Sequence, residues 1–495
     1  MRRGHSGRPK DLRNNAFVRI LMLAAEAAPL AKVGGLADVV GSLPRALQKL
    51  GHEVRVVLPG YGAIDWDRWA PERRTAFPVY TTWGAPQAEI WETDVDGIPH
   101  FLVTGAPIPM ERWIYGRTIE EDGPKFVFFS LAALWSAEAL AWKPDVVHAH
   151  DSHTGAAVWW LGTDGRHNPF FRDIASVFTI HNLPYAAQGA GKALGEYKLS
   201  RGPAILALPE SYRDSLMGLG IVGADWLTTV SPTYAREILA PEGGHGLDGI
   251  LRLRAGRLAG ILNGIDTEDW NPGTDAELIA NFDADGLAKR ARNKTELQRE
   301  AGLETDARMP LLAVVSRLVK EKGYDIAAPA IRRWIERGGQ FVLLGTGDPG
   351  LEHEYAQFEL RYPRRASVRL RFDARYARRV YGGADAILLP SRYEPCGLAQ
   401  MIAMRYGCVP VARRTGGLAD TVVDAGDPSG TGLMFDEFNP WALWDALDRA
   451  LRVYAQPAKW AELQRNGMTH DFSWSRSARE YAAFYGKAVA AHSGG

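Results

Sequence analysis

Apolar positions fall into short runs separated by glycine loops and amphipathic stretches, first between residues 18 and 265 and again beyond residue 310. Residues 19–25 read as a buried strand, Lys32-Val33-Gly34-Gly35 as a loop, 36–50 as an amphipathic helix and 53–58 as a second strand. Strand, helix and strand in that order imply a right-handed crossover within a parallel sheet. Residues 146–149, 175–180 and 226–230 add strands, each running into polar residues, the end at which open α/β sheets place their ligands. A second series follows, with strands over 312–315, 341–344, 368–372, 386–389 and 409–412 and a helix over 324–336. The turn-rich stretch 263–273 between the two series suits a hinge. The pattern predicts an α/β protein of two doubly wound domains, residues 18–265 and 266–470, facing each other across a ligand cleft.

Composition narrows the function classes. In 495 residues, 58 Lys+Arg balance 58 Asp+Glu, so bulk binding to nucleic acid or to an anionic membrane loses ground. Apolar residues at 46% and charged residues at 23% are ordinary for a folded protein and exclude general disorder. Two cysteines, Cys396 and Cys408, build no disulfide framework, which points to a reducing, cytoplasmic setting. The uncharged run 126–137 is shorter than the ~18–20 residues of a membrane span. Arg2-Arg3 ahead of Ile20–Ala25 imitates a secretory signal, but Glu26 cuts the apolar run below the ~7 residues that such a signal needs. A disordered tail over residues 1–17 is the better reading. Sixteen tryptophans invite a sugar-stacking reading, yet large aromatics usually pack in cores.

Several motifs compete for the chemistry. Gly34-Gly35-Leu36-Ala37-Asp38 recurs letter for letter as Gly416-Gly417-Leu418-Ala419-Asp420, each time after a strand. Paired glycines let a backbone approach a ligand, and the helix that follows offers free N–H groups, so the preferred reading is two walls of one cleft. His148-Ala149-His150-Asp151-Ser152-His153 suggests zinc, but the order is not that of metallo-hydrolases and no second ligand cluster is apparent. Gly345-Thr346-Gly347-Asp348-Pro349-Gly350, with Asp373 further on, matches a dinucleotide fingerprint and keeps a dehydrogenase open. Against it, the run follows the second strand of its domain rather than the first. The D-x-D pairs Asp65/Asp67, Asp94/Asp96 and Asp283/Asp285 lack strand-end context, and Asp94-Val95-Asp96-Gly97 reads as a hairpin turn.

One constellation makes chemical sense together. Arg317 and Lys322 supply two cations for a diphosphate. Glu394-Pro395-Cys396-Gly397-Leu398 opens a helix whose N–H groups suit a leaving phosphate, and Glu394 suits an oxocarbenium-like sugar centre beside it.

At these residues the chain resembles the bacterial-type glycogen synthases and their plant starch synthase relatives. Matching segments include Lys32-Val33-Gly34-Gly35-Leu36, Val147-His148-Ala149-His150-Asp151, Thr179-Ile180-His181-Asn182-Leu183 and Val230-Ser231-Pro232-Thr233-Tyr234. Leu262-Asn263-Gly264-Ile265-Asp266, Val315-Ser316-Arg317-Leu318, Glu394-Pro395-Cys396-Gly397-Leu398 and Thr415-Gly416-Gly417-Leu418-Ala419-Asp420 continue them in family order. The resemblance implies a GT-B fold, two Rossmann-like domains closing over a nucleotide sugar. It implies glucose transfer from ADP-glucose to the non-reducing end of an α-1,4-glucan with retained anomeric configuration, needing no metal and no cofactor. No nucleic acid or membrane partner is expected.

Carried over residue by residue, the resemblance makes Glu394, His181 and Asp151 the catalytic set. Glu394 stands at the reacting sugar, while His181 and Asp151 hold glucose hydroxyls or position the acceptor. The donor falls to Lys32, Gly34, Gly35, Arg317, Lys322, Gly345, Phe372, Cys396, Gly397, Leu398, Thr415 and Gly416, and the segment 471–495 packs back on the N-terminal domain. Ala399 stands where relatives often have Thr, Phe372 where they often place a base-stacking tyrosine, and the loop 183–189 reads two residues longer than usual. Ile402 replaces the second acid of E-x7-E transferases, in keeping with the synthase branch. A covalent role for Glu394 and a front-face intermediate both remain open. The rivals are a nicotinamide dehydrogenase, a glucan-binding protein without catalysis, and a phosphorylase with lysine-bound pyridoxal phosphate.

Overall fold

The computed structural model describes residues 17–108, 110, 113–200 and 202–493. Apart from Phe17, the expected N-terminal tail lies outside the described residues. Valine, isoleucine and leucine runs flanked by helices build two separate sheets. The first contains β1 (Arg19–Leu23), β2 (Glu53–Pro59), β3 (Glu72–Pro78), β4 (Gln87–Val95), β5 (Ile98–Thr104), β6 (Val146–His150), β7 (Ala175–Ile180), β8 (Trp226–Thr229) and β9 (Leu258–Gly260). Its order is β3-β4-β5-β2-β1-β6-β7-β8-β9. The second contains β10 (Leu311–Val315), β11 (Gln340–Leu344), β12 (Ala366–Arg369), β13 (Ala386–Leu389), β14 (Val409–Arg413) and β15 (Leu433–Phe435), in the order β12-β11-β10-β13-β14-β15.

Pairing is parallel except where β4 meets β3 and β5. In each sheet the order reverses beside the first strand, at β1/β6 and at β10/β13, and such switch points open a crevice at the strands' C-terminal ends. The antiparallel extension β3–β5 adds to the expected sheet. Its tightest turn is the anticipated Asp94–Gly97 hairpin, with Val95 paired to Ile98 and with Asp96 and Gly97 at φ 54° and 80°. In the second sheet the helix expected over 324–336 starts at Ala328, because Lys320–Lys322 form a 3-10 turn that ends on Gly323 at φ 74°. The strand expected over 368–372 spans Ala366–Arg369 instead, which leaves Phe372 beyond its end.

The chain crosses between the sheets twice, and the crossings touch. Ile265 N donates to Phe472 O at 2.8 Å, and a Cβ on Gly264 would stand 2.6 Å from Trp474 N. From that crossing the helix Trp474–Ser493 lies along the helix Gly35–Lys49 and behind β6 and β7, burying Trp474, Ala478, Tyr481 and Tyr485 in the core of the first sheet.

Candidate active site

Residues just beyond the C-terminal ends of β1, β6, β7, β8, β10 and β13 surround one cavity of about 820 Å³. Its volume suits a small-molecule site. The second sheet contributes Ser316, Arg317, Lys322, Tyr393, Glu394, Cys396, Gly397 and Leu398, and the first contributes Gly34, Gly35, Asp151, His153, His181 and Asn182.

Glu394 is the buried charge of this wall, 7% exposed. Its Oε2 accepts from Lys322 Nζ at 2.6 Å and from Ser391 Oγ at 3.0 Å. An uncompensated carboxylate so far from water would be costly, and the ammonium offsets that cost. The chain reaches this geometry because β13 ends at Leu389, the loop bonds the turn after β10 through Arg392 N to Glu321 O at 2.8 Å, and the helix Ala399–Arg405 begins just past Gly397 at φ 72°. Neither the Gly397 nor the Leu398 N–H has an acceptor among the described residues. Arg317 is exposed at the cavity and has no carboxylate partner among the described residues. Burial pushes the Cys396 thiol up to about 12, so it lines the wall as a neutral group; both cysteines are free.

The opposite wall sets uncharged imidazoles around the Asp151 carboxyl, with Glu26 also in the lining. Asp151 Oδ1 accepts the N–H of His181 at 2.8 Å and of Asn182 at 3.3 Å, which clamps the end of β6 to the end of β7. Its own backbone stands at φ 61°, ψ 177°, a region nearly reserved for glycine, so the fold stores strain at this residue. Burial pushes the Asp151 carboxyl up to about 7 against those two N–H donors. Burial also holds His181 and His153 down at about 3. His148 is spent on Thr179 and Tyr485, and His150 on His181. Among the described residues no group of three or more His, Cys, Asp or Glu side chains is arranged to hold a metal ion.

Glu26 lines the cavity, and the motif reading passes over it, using it only to end an apolar run. It is buried at the end of β1, where Oε2 accepts the N–H of Val33 at 2.5 Å and of Gly34 at 2.8 Å, and Oε1 accepts from the Tyr115 hydroxyl. This carboxylate shapes the glycine loop by taking two of its N–H groups. A buried acid directly after an apolar strand is the signal that points to it.

Of the residues expected at the site, Glu394, His181, Asp151, Gly34, Gly35, Arg317, Lys322, Cys396, Gly397 and Leu398 line the cavity. Lys32, Gly345, Phe372, Thr415 and Gly416 do not. Lys32 turns to the surface and pairs with Asp38 at 2.5 Å. Gly345 serves packing between neighbouring loops, since a Cβ there would lie 1.9 Å from Ser316 O. The same holds for Gly347 against Leu318 O, which gives these two glycines of the dinucleotide-like run a structural purpose; Asp373 caps the helix Ala374–Gly383 through Tyr376 N. Phe372 is 88% exposed, outside the lining. Thr415 Oγ1 and Gly416 N both donate to Glu237 Oε1, at 3.0 and 2.9 Å, so a carboxylate from the other sheet's lobe already occupies them.

Comparison with known proteins agrees with this architecture. The family model described as starch synthase catalytic domain matches residues 19–253, and the one described as glycosyl transferases group 1 matches residues 295–467. A glycogen synthase of Syntrophotalea carbinolica is 42% identical, covering 96% of this chain and all of its own. That of Gloeobacter violaceus is 43% identical over 96% of this chain and 99% of its own. Among solved structures, the catalytic domain of starch synthase IV from Arabidopsis thaliana, bound to ADP and acarbose, superposes with a TM-score of 0.87 at 34% identity, covering 96% of this chain and 100% of that one. With full-length relatives at this identity and two switch-point crevices sharing one cavity, the chain belongs to the family of bacterial glycogen synthases and plant starch synthases, hexosyltransferases of the GT-B fold.

Proposed function

We propose that this cavity takes ADP-glucose against the second sheet and the non-reducing end of an α-1,4-glucan against the first. It transfers the glucosyl group between them with retention at the anomeric carbon, as the chain-extending step of glycogen synthesis in the cytoplasm. The observation that carries this reading is one buried carboxylate, Glu394, in contact with one of two cations on a single wall of the cavity. In this reading residues 18–265 form the acceptor-side domain, 266–470 the nucleotide-sugar domain, and 471–495 the segment that returns to the first.

A diphosphate entering beside Arg317 draws Lys322 toward its own oxygens, each charge-assisted bond contributing about 1.5–3 kcal/mol. Glu394 then keeps only Ser391 as a partner, and its negative charge faces the sugar carbon from which the phosphate departs. The unpaired N–H groups of Gly397 and Leu398 donate to the leaving phosphate, in fixed positions that need no reorganisation. His181 and Asp151 hold glucose hydroxyls from the other wall. Phe372 offers an exposed ring to the base, and Lys32, once released from Asp38, reaches the donor from the glycine loop. ADP in the Arabidopsis relative supports the choice of nucleotide.

Nucleoside diphosphate release from ADP-glucose and UDP-glucose, with and without glycogen, tests the proposal. ADP release that depends on glycogen is expected, and Glu394→Gln should lower kcat about 10³-fold while ADP binding stays within a few-fold. Turnover unchanged in Glu394→Gln would overturn the assignment.

A further inference from the structure

Behind His181 stand two further imidazoles that do not reach the cavity. His150 is fully buried, and its Nδ1 lies 2.9 Å from His181 Nε2. Its ring rests on that of His148, with centroids 4.0 Å apart. His148 is held at both nitrogens, Nε2 to Thr179 Oγ1 at 2.6 Å and Nδ1 to the Tyr485 hydroxyl at 2.7 Å. Tyr485 belongs to the helix Trp474–Ser493, so the returning C-terminal segment closes this stack from behind. His150 Nε2, by contrast, is buried without a partner among the described residues. Burial keeps His148, His150 and His181 neutral, so each ring carries one proton and the 2.9 Å contact between His150 and His181 contains one hydrogen.

Two placements of that hydrogen exist. With the proton on His181 Nε2, His150 Nδ1 accepts, and the proton of His150 must sit on Nε2 as a buried donor with nothing to receive it. With the proton on His150 Nδ1, the partnerless Nε2 is a bare lone pair, and the proton of His181 moves to its own Nδ1. A buried N–H without an acceptor is the rarer and costlier orphan. We infer that His150 is a positioning residue that fixes His181 as its Nδ1–H tautomer, so that a neutral imidazole meets the cavity as a hydrogen-bond donor.

The consequence for chemistry rests on the glucosyl-transfer reading of the cavity. A donor N–H obliges the sugar hydroxyl it meets to accept, which frees that hydroxyl's proton for another acceptor and fixes the hexose orientation. Because the ring is neutral, it does this without setting a positive charge against the positive character that grows at the anomeric carbon.

The tautomer can be read directly from 15N-histidine spectra of the full chain at neutral pH without substrate, with His181→Gln identifying the His181 signals. The expected result is a pyridine-like Nε2 and a pyrrole-like Nδ1 in His181; the reverse overturns the inference, whatever the variants do. His150→Asp supplies an obligate acceptor and should flip His181 to the Nε2–H form, with kcat/KM for ADP-glucose falling about tenfold or more. His150→Asn, which restores an amide N–H where Nδ1 stood, should recover part of that loss, whereas His150→Phe, with a ring but no donor, should not. A His150→Asp protein with wild-type activity and an unaltered His181 spectrum would refute the positioning role. The spectrum needs no substrate, so an Nδ1–H His181 in a protein that transfers no glucose would sink the functional reading and leave the tautomer standing.

Discussion

Gly34-Gly35-Leu36-Ala37-Asp38 and Gly416-Gly417-Leu418-Ala419-Asp420 share every letter, follow a strand and open a helix, yet they face opposite kinds of surroundings. Where a Cβ of Gly34 or Gly35 would stand, no atom of the described residues lies within 4 Å, and both glycines line the cavity. A Cβ on Gly416 would stand 1.9 Å from Glu394 O, and one on Gly417 would stand 2.0 Å from Cys396 O. Gly417 N donates to Glu394 O at 2.9 Å. The aspartates diverge in the same way. Asp38 meets Lys32 at the surface, whereas Asp420 accepts Thr233 N at 2.7 Å and Thr233 Oγ1 at 2.6 Å from the first lobe. One copy is an open lip of the cavity. The other is a joint that backs the loop carrying Glu394 and ties the lobes together. A missing side chain serves both ends, so the residue types alone do not say which end is being served.

The largest effect should separate the two copies by stability. Gly417→Ala pushes a methyl into a backbone carbonyl, which cannot swing away as a side-chain tip would, so the Glu394 loop must move. A loss of about 3 kcal/mol or more is expected in denaturant unfolding, with kcat falling alongside. A Gly417→Ala protein as stable as the parent would show that the second copy is not a packing joint.

Acid should distinguish the lobes next. The first lobe buries His148 and His150 and half-buries His153 and His181, all with their pKa values lowered by desolvation, so unfolding lets them take up protons. Stability from these groups is present above their ordinary value of about 6.5 and is lost as pH falls below it. Asp151, raised to about 7, has the opposite sign: it binds its proton more tightly when folded, and stabilises increasingly as pH falls from about 7 toward 4. The imidazoles outnumber it. The unfolding free energy from urea titrations should therefore drop on acidification below about pH 6.5, by at least ~1.4 kcal/mol per pH unit, with hydrogen exchange rising first in β6 and β7. Asp151→Asn removes the opposing group and should steepen the fall. A flat midpoint down to pH 5 would mean that the imidazoles titrate normally.

The paired aspartates give a smaller contrast. Asp420→Ala removes two hydrogen bonds at a half-buried interface between lobes and should cost about 1–3 kcal/mol. Asp38→Ala removes an exposed ion pair and should stay within about 0.5 kcal/mol. Equal losses in the two variants would erase the distinction drawn between the copies.

Much of this architecture is legible in the sequence because it follows apolar runs that end in polar residues. Asp151, His181, Arg317 and Glu394 each lie within a few residues of a strand end, and that local regularity brings them to one cavity. What escapes is long-range or ambiguous. Glu237 reaches Thr415 and Gly416 across most of the second lobe, and no local pattern announces an acid whose partner is a distant N–H. Strand β3, with its Glu-Arg-Arg run largely exposed at the sheet edge, lacks the period-two alternation that marks a half-buried strand. Gly345 illustrates the limit already seen in the glycine pairs: its letter is compatible with a ligand, and its surroundings give it to Ser316 O.

The smallest change tests the open copy. Gly35 is the first residue of the helix Gly35–Lys49, and Gly34 before it has φ −139°, a conformation that any residue adopts. Alanine at position 35 therefore meets no clash and no strain, and alanine is the better helix former by up to ~1 kcal/mol. The unfolding midpoint of Gly35→Ala should match the parent or rise slightly, which is the reverse of Gly417→Ala. If the empty space at the lip is kept for the donor, the added methyl should raise KM for ADP-glucose several-fold and leave kcat nearly unchanged, because it obstructs approach without touching Glu394. An unaltered KM would place the donor elsewhere and leave this glycine pair as open surface. A fallen kcat at constant KM would instead assign the lip to the transition state, and the two copies would then differ in neighbours while sharing a catalytic purpose.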